Sequence, residues 1–280
     1  MNYRHAFHAG NFADVVKHAL LARLIEYLKL KPKAFRILDT HAGIGRYDLS
    51  GDEARRTGER VEGIDRLVAS PVWVDPLLRP YREAVEAVRA AHGADSYPGS
   101  PLVARTLMRP QDRLSLYELH PADAQILHDE FAGDYQVRAT HLDGWLALGA
   151  HLPPKEKRGV VLIDPPFEET GEHERIVERV AAAWRRWPGG IYAVWYPVKQ
   201  RERRSALLSG IRESGLRNVV AAELLREPMG ADDRLVGTGF LVVNPPWTFA
   251  PEAERILALL RPLLETDRGG SFSVEMLVPE

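Results

Sequence analysis

The sequence predicts an α/β fold of the Rossmann-like type: a mostly parallel seven-stranded sheet with a helical insertion after the first strand. Three observations carry this. Val160 to Phe167 reads VVLIDPPF, a continuous apolar run closed by proline; a strand covered on both faces needs no alternation, and Pro cannot extend the ladder. Phe35 to Leu38 (FRIL) runs into Asp39-Thr-His-Ala-Gly43-Ile-Gly45, an acid and two glycines at a strand end, where backbone can approach a ligand closely. Around these, short apolar runs alternate with segments of helical period, as crossover-connected parallel strands require.

In chain order, Asn11 is a fitting N-cap with Asp14 three residues on, and Val16, Leu20, Leu24 and Leu28 form a helical apolar face. Lys17 and His18 fall in the early turns of that helix; taken alone they read as a solvated lysine and a capping histidine. After the first strand, Asp48 stands where a dinucleotide loop wants its third glycine, and its carboxylate would repel a pyrophosphate. A cofactor without phosphates, such as S-adenosylmethionine, suits this loop better than NAD or FAD.

No strand pattern returns until residue 99. Val61 to Ser70 and Pro76 to His92 read as amphipathic helices, the second with Leu77, Tyr81, Val85 and Val88 on one side. Residues 48–99 are therefore expected to form an insertion subdomain within a single domain spanning 1–280. Ser100 before Pro101 reads as an N-cap with Pro at the first helical position, opening a helix over Leu102 to Met108. Strands follow at Leu114 to Leu119 and Val137 to Leu142, separated by a helix over Ala122 to Phe131; a helix over Trp145 to Leu152 and the basic turn Lys155 to Arg158 lead into VVLIDPPF. Beyond it come a helix Glu172 to Trp187, strand Gly190 to Tyr196, helix Lys199 to Ser214, and strands Val219 to Leu225 and Gly239 to Asn244.

The first four strands each close on an acid: Asp39, Glu118, Asp143 and Asp164. Four acids at one sheet edge suit a ligand rich in hydroxyl and amine donors. Asn244-Pro-Pro-Trp247 imitates Asp164-Pro-Pro-Phe167. It is set aside because a seventh strand lies in the far half of the sheet, whereas the fourth lies beside the first, where strand order reverses.

The chemistry suited to Asp164 is work on an exocyclic amine, whose lone pair is delocalised and must be aimed. The Asp164 carboxylate and the Pro165 carbonyl can accept the two amine hydrogens, both prolines stiffen the frame, and Phe167 offers a stacking face for an extruded base. A net charge of −2 means that any nucleic-acid contact rests on local patches. Zero cysteines exclude disulfides, thiolate-bound zinc and a thiol nucleophile. His5, His8 and His18 lack a metal-ligand spacing, so no metal is expected. Arg201 to Arg204 and Lys155 to Arg158 are each open to two readings, solvated face or phosphate contact; Trp195-Tyr196 is open between strand core and base platform. A cytoplasmic chain is expected, with no leader-like start and no apolar run near membrane-spanning length.

The Asp-Pro-Pro-Phe string resembles the fourth motif of amino-methyltransferases, and Asp39 to Gly45 resembles their cofactor loop. More specifically, YRHAFHAGNFADVVKH (Tyr3 to His18), DTHAGIGRY (Asp39 to Tyr47), TGE (Thr57 to Glu59), YPGSP (Tyr97 to Pro101), ELHP (Glu118 to Pro121) and WYP (Trp195 to Pro197) together resemble the RlmJ family, adenine-N6 methyltransferases of 23S ribosomal RNA. The resemblance implies a class I S-adenosylmethionine-dependent methyltransferase with Asp164 as catalytic acid. It implies cofactor contacts at His18, His41, Ser100, Glu118, Asp143, Gly144 and Asp164, joining Gly43 of the glycine loop. Tyr3, His5 and Lys17 are implied in activity and in handling the target adenosine, which would overturn the solvated reading of Lys17. Phe167 departs from the family, which carries Tyr there. The implied partner is 23S ribosomal RNA, free or partly assembled, with no membrane and no obligate protein partner. Rival readings are a DNA adenine-N6 or protein glutamine methyltransferase, which share the fourth motif, and a non-catalytic RNA-binding assembly factor.

Overall fold

The computed structural model describes residues 5–169, 171–230 and 233–280. After a 3-10 turn at His5–Phe7, α1 (Phe12–Lys29) leads to β1 (Arg36–Asp39). The insertion runs through β2 (Arg46–Asp48), α2 (Asp52–Thr57), α3 (Ile64–Val68), α4 (Arg79–His92) and β3 (Ser96–Pro98). Alternation then resumes with α5 (Ser100–Leu107), β4 (Arg113–Glu118), α6 (Pro121–Glu130), β5 (Val137–His141), α7 (Gly144–Ala150), β6 (Gly159–Ile163), α8 (Glu172–Arg186) and β7 (Ile191–Val198). The chain ends with α9 (Arg201–Glu213), β8 (Val219–Leu225), β9 (Gly237–Val243), α10 (Phe249–Leu264) and β10 (Ser271–Val278).

The main sheet is ordered β10-β8-β9-β7-β6-β1-β4-β5. From β7 to β5 all neighbours are parallel, and β9 inserts antiparallel between β7 and β8. The seven expected strands are all present. The eighth, β10, pairs antiparallel with β8 and carries a bulge between Met276 and Val278. Its alternation from Ser271 to Glu275 marks a one-sided edge strand. The bulge then breaks the period, which hid the element from a search for continuous apolar runs.

The sheet separates two cores. On β1 and β6, Ile37, Val160 and Leu162 face one, while Leu38, Val161 and Ile163 face the other. This two-sided cover is why β6 reads as an unbroken apolar run. The first core takes α1, α5 and α10, the second α7, α8 and α9. α1 is buried on nearly every side, Lys17 included, and its N-cap forms as expected, Asn11 accepting from the Asp14 amide at 2.9 Å.

The insertion is pinched shut by the β2–β3 ribbon, with Tyr47 opposite Tyr97. The expected helix over Val61 to Ser70 is shorter: α3 spans five residues between 3-10 turns. Its start is pressed against the N-terminal segment, where Ile64 N donates to Gly10 O at 2.9 Å and a Cβ on Gly63 would stand 2.2 Å from that same oxygen. Ser100 is not an N-cap; Gly99 takes that place. Among the described residues no helix is long and apolar enough to cross a membrane.

Candidate active site

A cavity of about 590 Å³ opens at the carboxyl edge of the parallel strands, lined on its polar side by His18, His41, Glu118, Asp143 and Asp164. That is a small-molecule volume. Its floor is backbone brought close by glycine. Gly43 has φ +61°, and a Cβ there would stand 2.3 Å from the Tyr47 hydroxyl. At Gly144 a Cβ would lie 2.0 Å from Thr40 O. Neither position tolerates a side chain.

Three of the four strand-end acids line this cavity. Glu118 accepts from Gly43 N and His120 N, each at 2.8 Å, and burial raises its pKa. Asp143 caps α7, accepting from Trp145 N at 2.8 Å. The fourth, Asp39, does not reach the cavity and lies behind its wall, accepting from the Ser100 hydroxyl at 2.6 Å and from His41 N at 3.3 Å. Thus Ser100, expected as a cap, ties the end of the insertion to the end of β1.

Asp39 is 2% exposed. Burial pushes its carboxyl up to about 7, reinforced by the charge of Asp164 and opposed by the Ser100 and His41 hydrogen bonds. Between the ordinary carboxylate value and about 7 the folded chain therefore holds a proton that the unfolded chain has lost, so this group's contribution to stability declines as pH rises through that window. Asp39→Asn removes the ionisation and keeps an acceptor for Ser100. Urea unfolding is expected to show the variant gaining on the wild type between about pH 5 and pH 8, by on the order of 2 kcal/mol; a constant gap would refute the assignment.

Burial also drives His18 down to about 3 and His41 to about 4, so both rings are neutral. His18 Nδ1 meets the Tyr97 hydroxyl at 2.9 Å, and Tyr97 meets Tyr81 at 2.8 Å. With the hydroxyls donating in series toward Nδ1, the imidazole hydrogen rests on Nε2, a buried atom with no partner among the described residues. A buried donor left without an acceptor, on a residue that lines the cavity, leaves a hydrogen bond for a ligand to complete. His41 Nδ1 lies 2.9 Å from Thr40 Oγ1, and its ring meets the edge of Trp145 at 5.3 Å.

Asp164 stands at the other end of the cavity. Lys17 Nζ donates to Asp164 Oδ2 at 2.6 Å and contacts Asp14 Oδ1 at 2.9 Å. Lys17 is 4% exposed, so the solvated reading is wrong. Burial alone would lower the lysine's pKa, but the two carboxylates outweigh it and hold it above its ordinary value. Asp14 also accepts from His5 Nε2 and Gly10 N, each at 2.9 Å. Burial opposes its ionisation; His5, by charge and hydrogen bond, and the charge of Lys17 overcome this and keep its pKa well below the usual range. His5 lines the cavity, its ring edge-on to Tyr47 at 5.1 Å. Tyr3 lies outside the described residues.

Sequence reasoning treated Asp14 only as part of a cap. Its i−3 spacing from Lys17 puts the two on one helix face, which was the available signal. Tyr97 as the orienter of His18 had none.

Pro165 and Pro166 form part of the cavity wall, whereas Phe167 does not. The phenyl ring packs on His173 at 5.3 Å and edge-on to Trp195 at 5.6 Å. Phe167 also has φ +53°, a left-handed conformation costing a bulky side chain about 1–3 kcal/mol. Trp195 Nε1 donates to Thr238 Oγ1 at 2.7 Å, and Lys17 Nζ lies 5.8 Å from the indole centroid. Tyr196 is core, its hydroxyl donating to Glu223 at 2.8 Å, so the two halves of Trp195-Tyr196 divide between the site edge and the interior. Asn244 lies at the opposite sheet edge, because β9 is antiparallel: its Nδ2 donates to Pro188 O and Gly190 O, each at 2.7 Å, beside the start of β7. This is a stronger reason to set it aside than its distance along the sheet.

A hairpin strand inserted antiparallel beside β7 separates this sheet from the dinucleotide-binding arrangement. Together with the glycine-floored cleft and the Asp-Pro-Pro turn, it defines a class I methyltransferase fold, whose cofactor is S-adenosylmethionine. A family model described as "Ribosomal RNA large subunit methyltransferase D, RlmJ" matches residues 32–278, and the chain belongs to that family. Two curated relatives named "Ribosomal RNA large subunit methyltransferase J" agree. The chain is 40% identical to the Haemophilus influenzae protein over 280 residues and 40% identical to the Escherichia coli K12 protein over 284, with the full length of both chains covered in each comparison. Among solved structures, a Legionella pneumophila protein superposes with a TM-score of 0.87 at 35% identity, over 96% of this chain and 98% of that one.

Proposed function

We propose that this chain transfers a methyl group from S-adenosylmethionine to N6 of an adenosine in 23S ribosomal RNA, free or partly assembled, in the cytoplasm. The observation carrying the reading is the Asp164 carboxylate at the cavity edge, with Oδ2 fixed by a buried lysine at 2.6 Å. Residues 48–99 are a subdomain of the same catalytic domain in this reading.

The cavity suits the cofactor: a neutral imidazole with an unmet donor, two glycines that admit close approach, and carboxylates placed for hydroxyl and amine donors. His18, His41, Gly43, Glu118, Asp143 and Gly144 would hold it, with Ser100 bracing the wall through Asp39. When bound, it supplies an electrophilic methyl group on a sulfonium. Asp164 accepts one hydrogen of the target amine and the Pro165 carbonyl the other, turning the nitrogen's lone pair toward the methyl group. Lys17 holds the carboxylate in one rotamer through its 2.6 Å contact; Asp14 holds Lys17, and His5 holds Asp14. This makes Asp164 an orienting acceptor, while Trp195 at the site edge, with Phe167 packed edge-on behind it, offers apolar surface to the extruded base. Tyr3 is assigned to the target adenosine on resemblance alone.

The test is transfer of labelled methyl groups to unmodified 23S rRNA, to duplex DNA and to glutamine-containing protein. The rRNA is expected to take the label, with N6-methyladenosine as the product in its digest. Label in DNA or protein alone would overturn the reading.

A further inference from the structure

Two basic runs stood open to the same interpretation, and their positions in the fold divide them. Lys155 to Arg158 lie just before β6, at the amino edge of the sheet and away from Asp164. There Arg158 is used structurally, donating to Lys33 O at 2.8 Å and Leu28 O at 2.9 Å, and Glu156 pairs with Arg36. The other run follows β7, which is parallel to β6, so Lys199 to Arg203 emerge at the carboxyl edge that carries Asp164, one strand over.

Within this second run the roles also split. Arg204 is bound to Glu223, which is 2% exposed, and belongs to the core. Lys199 and Arg201 have no carboxylate partner among the described residues, and Arg203 meets only an exposed Asp233 at 3.5 Å, a contact of small worth. Their charges reach the site's own parts: Lys199 acts on His8 of the N-terminal segment, and Arg203 on His173, the ring against Phe167. Across the N-terminal segment, α2 presents exposed Arg55 and Arg56, which make no ion pair among the described residues, although the charge of Arg55 reaches Asp48. It is anchored there by the Thr57 hydroxyl donating to Phe7 O at 2.5 Å.

We infer that Lys199, Arg201 and Arg203 on one side, with Arg55 and Arg56 on the other, hold the phosphates flanking the target adenosine, so that the RNA backbone crosses the N-terminal segment above Asp164. The inference rests on the proposed function. A chain of net charge −2 has no global field to attract RNA, and exposed cations on the two flanks of the N-terminal segment supply a local one. They position the strand and carry no base specificity.

Three variants test it on a 23S rRNA transcript: Lys199→Gln/Arg201→Gln/Arg203→Gln, Arg55→Gln/Arg56→Gln, and the control Lys155→Gln/Lys157→Gln. At about 0.15 M salt the triple variant is expected to raise KM for RNA about tenfold or more while kcat at saturating RNA stays within about threefold. Its log-affinity against log-salt slope should be shallower by about 2, at roughly 0.7 per phosphate contact on a single strand. The α2 variant should show the same pattern with about two-thirds of the slope change, and the control should match wild type. Unchanged S-adenosylmethionine affinity checks folding. A triple variant with wild-type KM and slope, or a control equally impaired, overturns the surface. Wild-type protein that methylates DNA or protein but not rRNA instead overturns the functional reading beneath it.

Discussion

Asp164→Ala is expected to lower kcat by about 10²- to 10³-fold, the scale on which one preorganised polar contact to a reacting group acts, while S-adenosylmethionine affinity stays within about tenfold of wild type. The second half follows from the layout. His18, Glu118, Asp143 and the two glycine floors belong to other segments of the sheet edge and keep their contacts when Asp164 is truncated. The fold should survive as well, because Lys17 retains Asp14 at 2.9 Å. Asp164→Asn discriminates further: it offers an acceptor of the same shape without the charge that pairs with Lys17, and should recover part of the lost turnover. Cofactor titration by calorimetry alongside single-turnover methylation separates the two quantities. Wild-type turnover in Asp164→Ala would refute its place in the chemistry, whereas no methyl transfer by the wild-type chain to any substrate would leave the non-catalytic assembly factor as the better reading.

What the chain discloses before folding depends on whether a signal is local. The parallel core was legible because burial on both faces writes continuous apolar runs, and Asp164 was legible because two prolines mark where the strand stops. Its relation to Lys17 was not, since 147 positions separate the partners and the lysine sits amid a helix's ordinary pattern; only the resemblance pointed to it. Ser100 was misread for the reverse reason. Ser followed by Pro is a sound local cap signal, but the hydroxyl is claimed by Asp39 from 61 positions away. Phe167 shows a third limit: sequence promised a ring at the site, while its left-handed backbone turns that ring onto His173 and Trp195 instead of the cavity wall.

Lys17→Met is expected to cost both stability and turnover, and the pH dependence of the first separates a charge effect from simple loss of packing. Methionine keeps most of the volume, so the damage comes from two carboxylates losing their shared cation. Breaking a buried pair costs about 3–5 kcal/mol, and Asp14, with its side chain 2% exposed, bears more of it than Asp164 at 14%. His5 and the Gly10 amide still bond Asp14, which places the loss toward the lower end, about 3 kcal/mol by urea unfolding at neutral pH. The wild-type Asp14 has its pKa held well below the ordinary carboxylate value. Its contribution is therefore present above that ordinary value and fades as pH falls through the depressed one. The raised Lys17 contributes fully below its own ordinary value and loses that contribution only as pH climbs beyond it. The stability gap between wild type and Lys17→Met should accordingly be flat between about pH 5 and pH 9 and narrow toward either extreme. A gap independent of pH would mean that the lysine acts only by filling space. In that case the fall in turnover, expected at about 10²-fold because an unheld Asp164 no longer presents one rotamer to the amine, should be absent too.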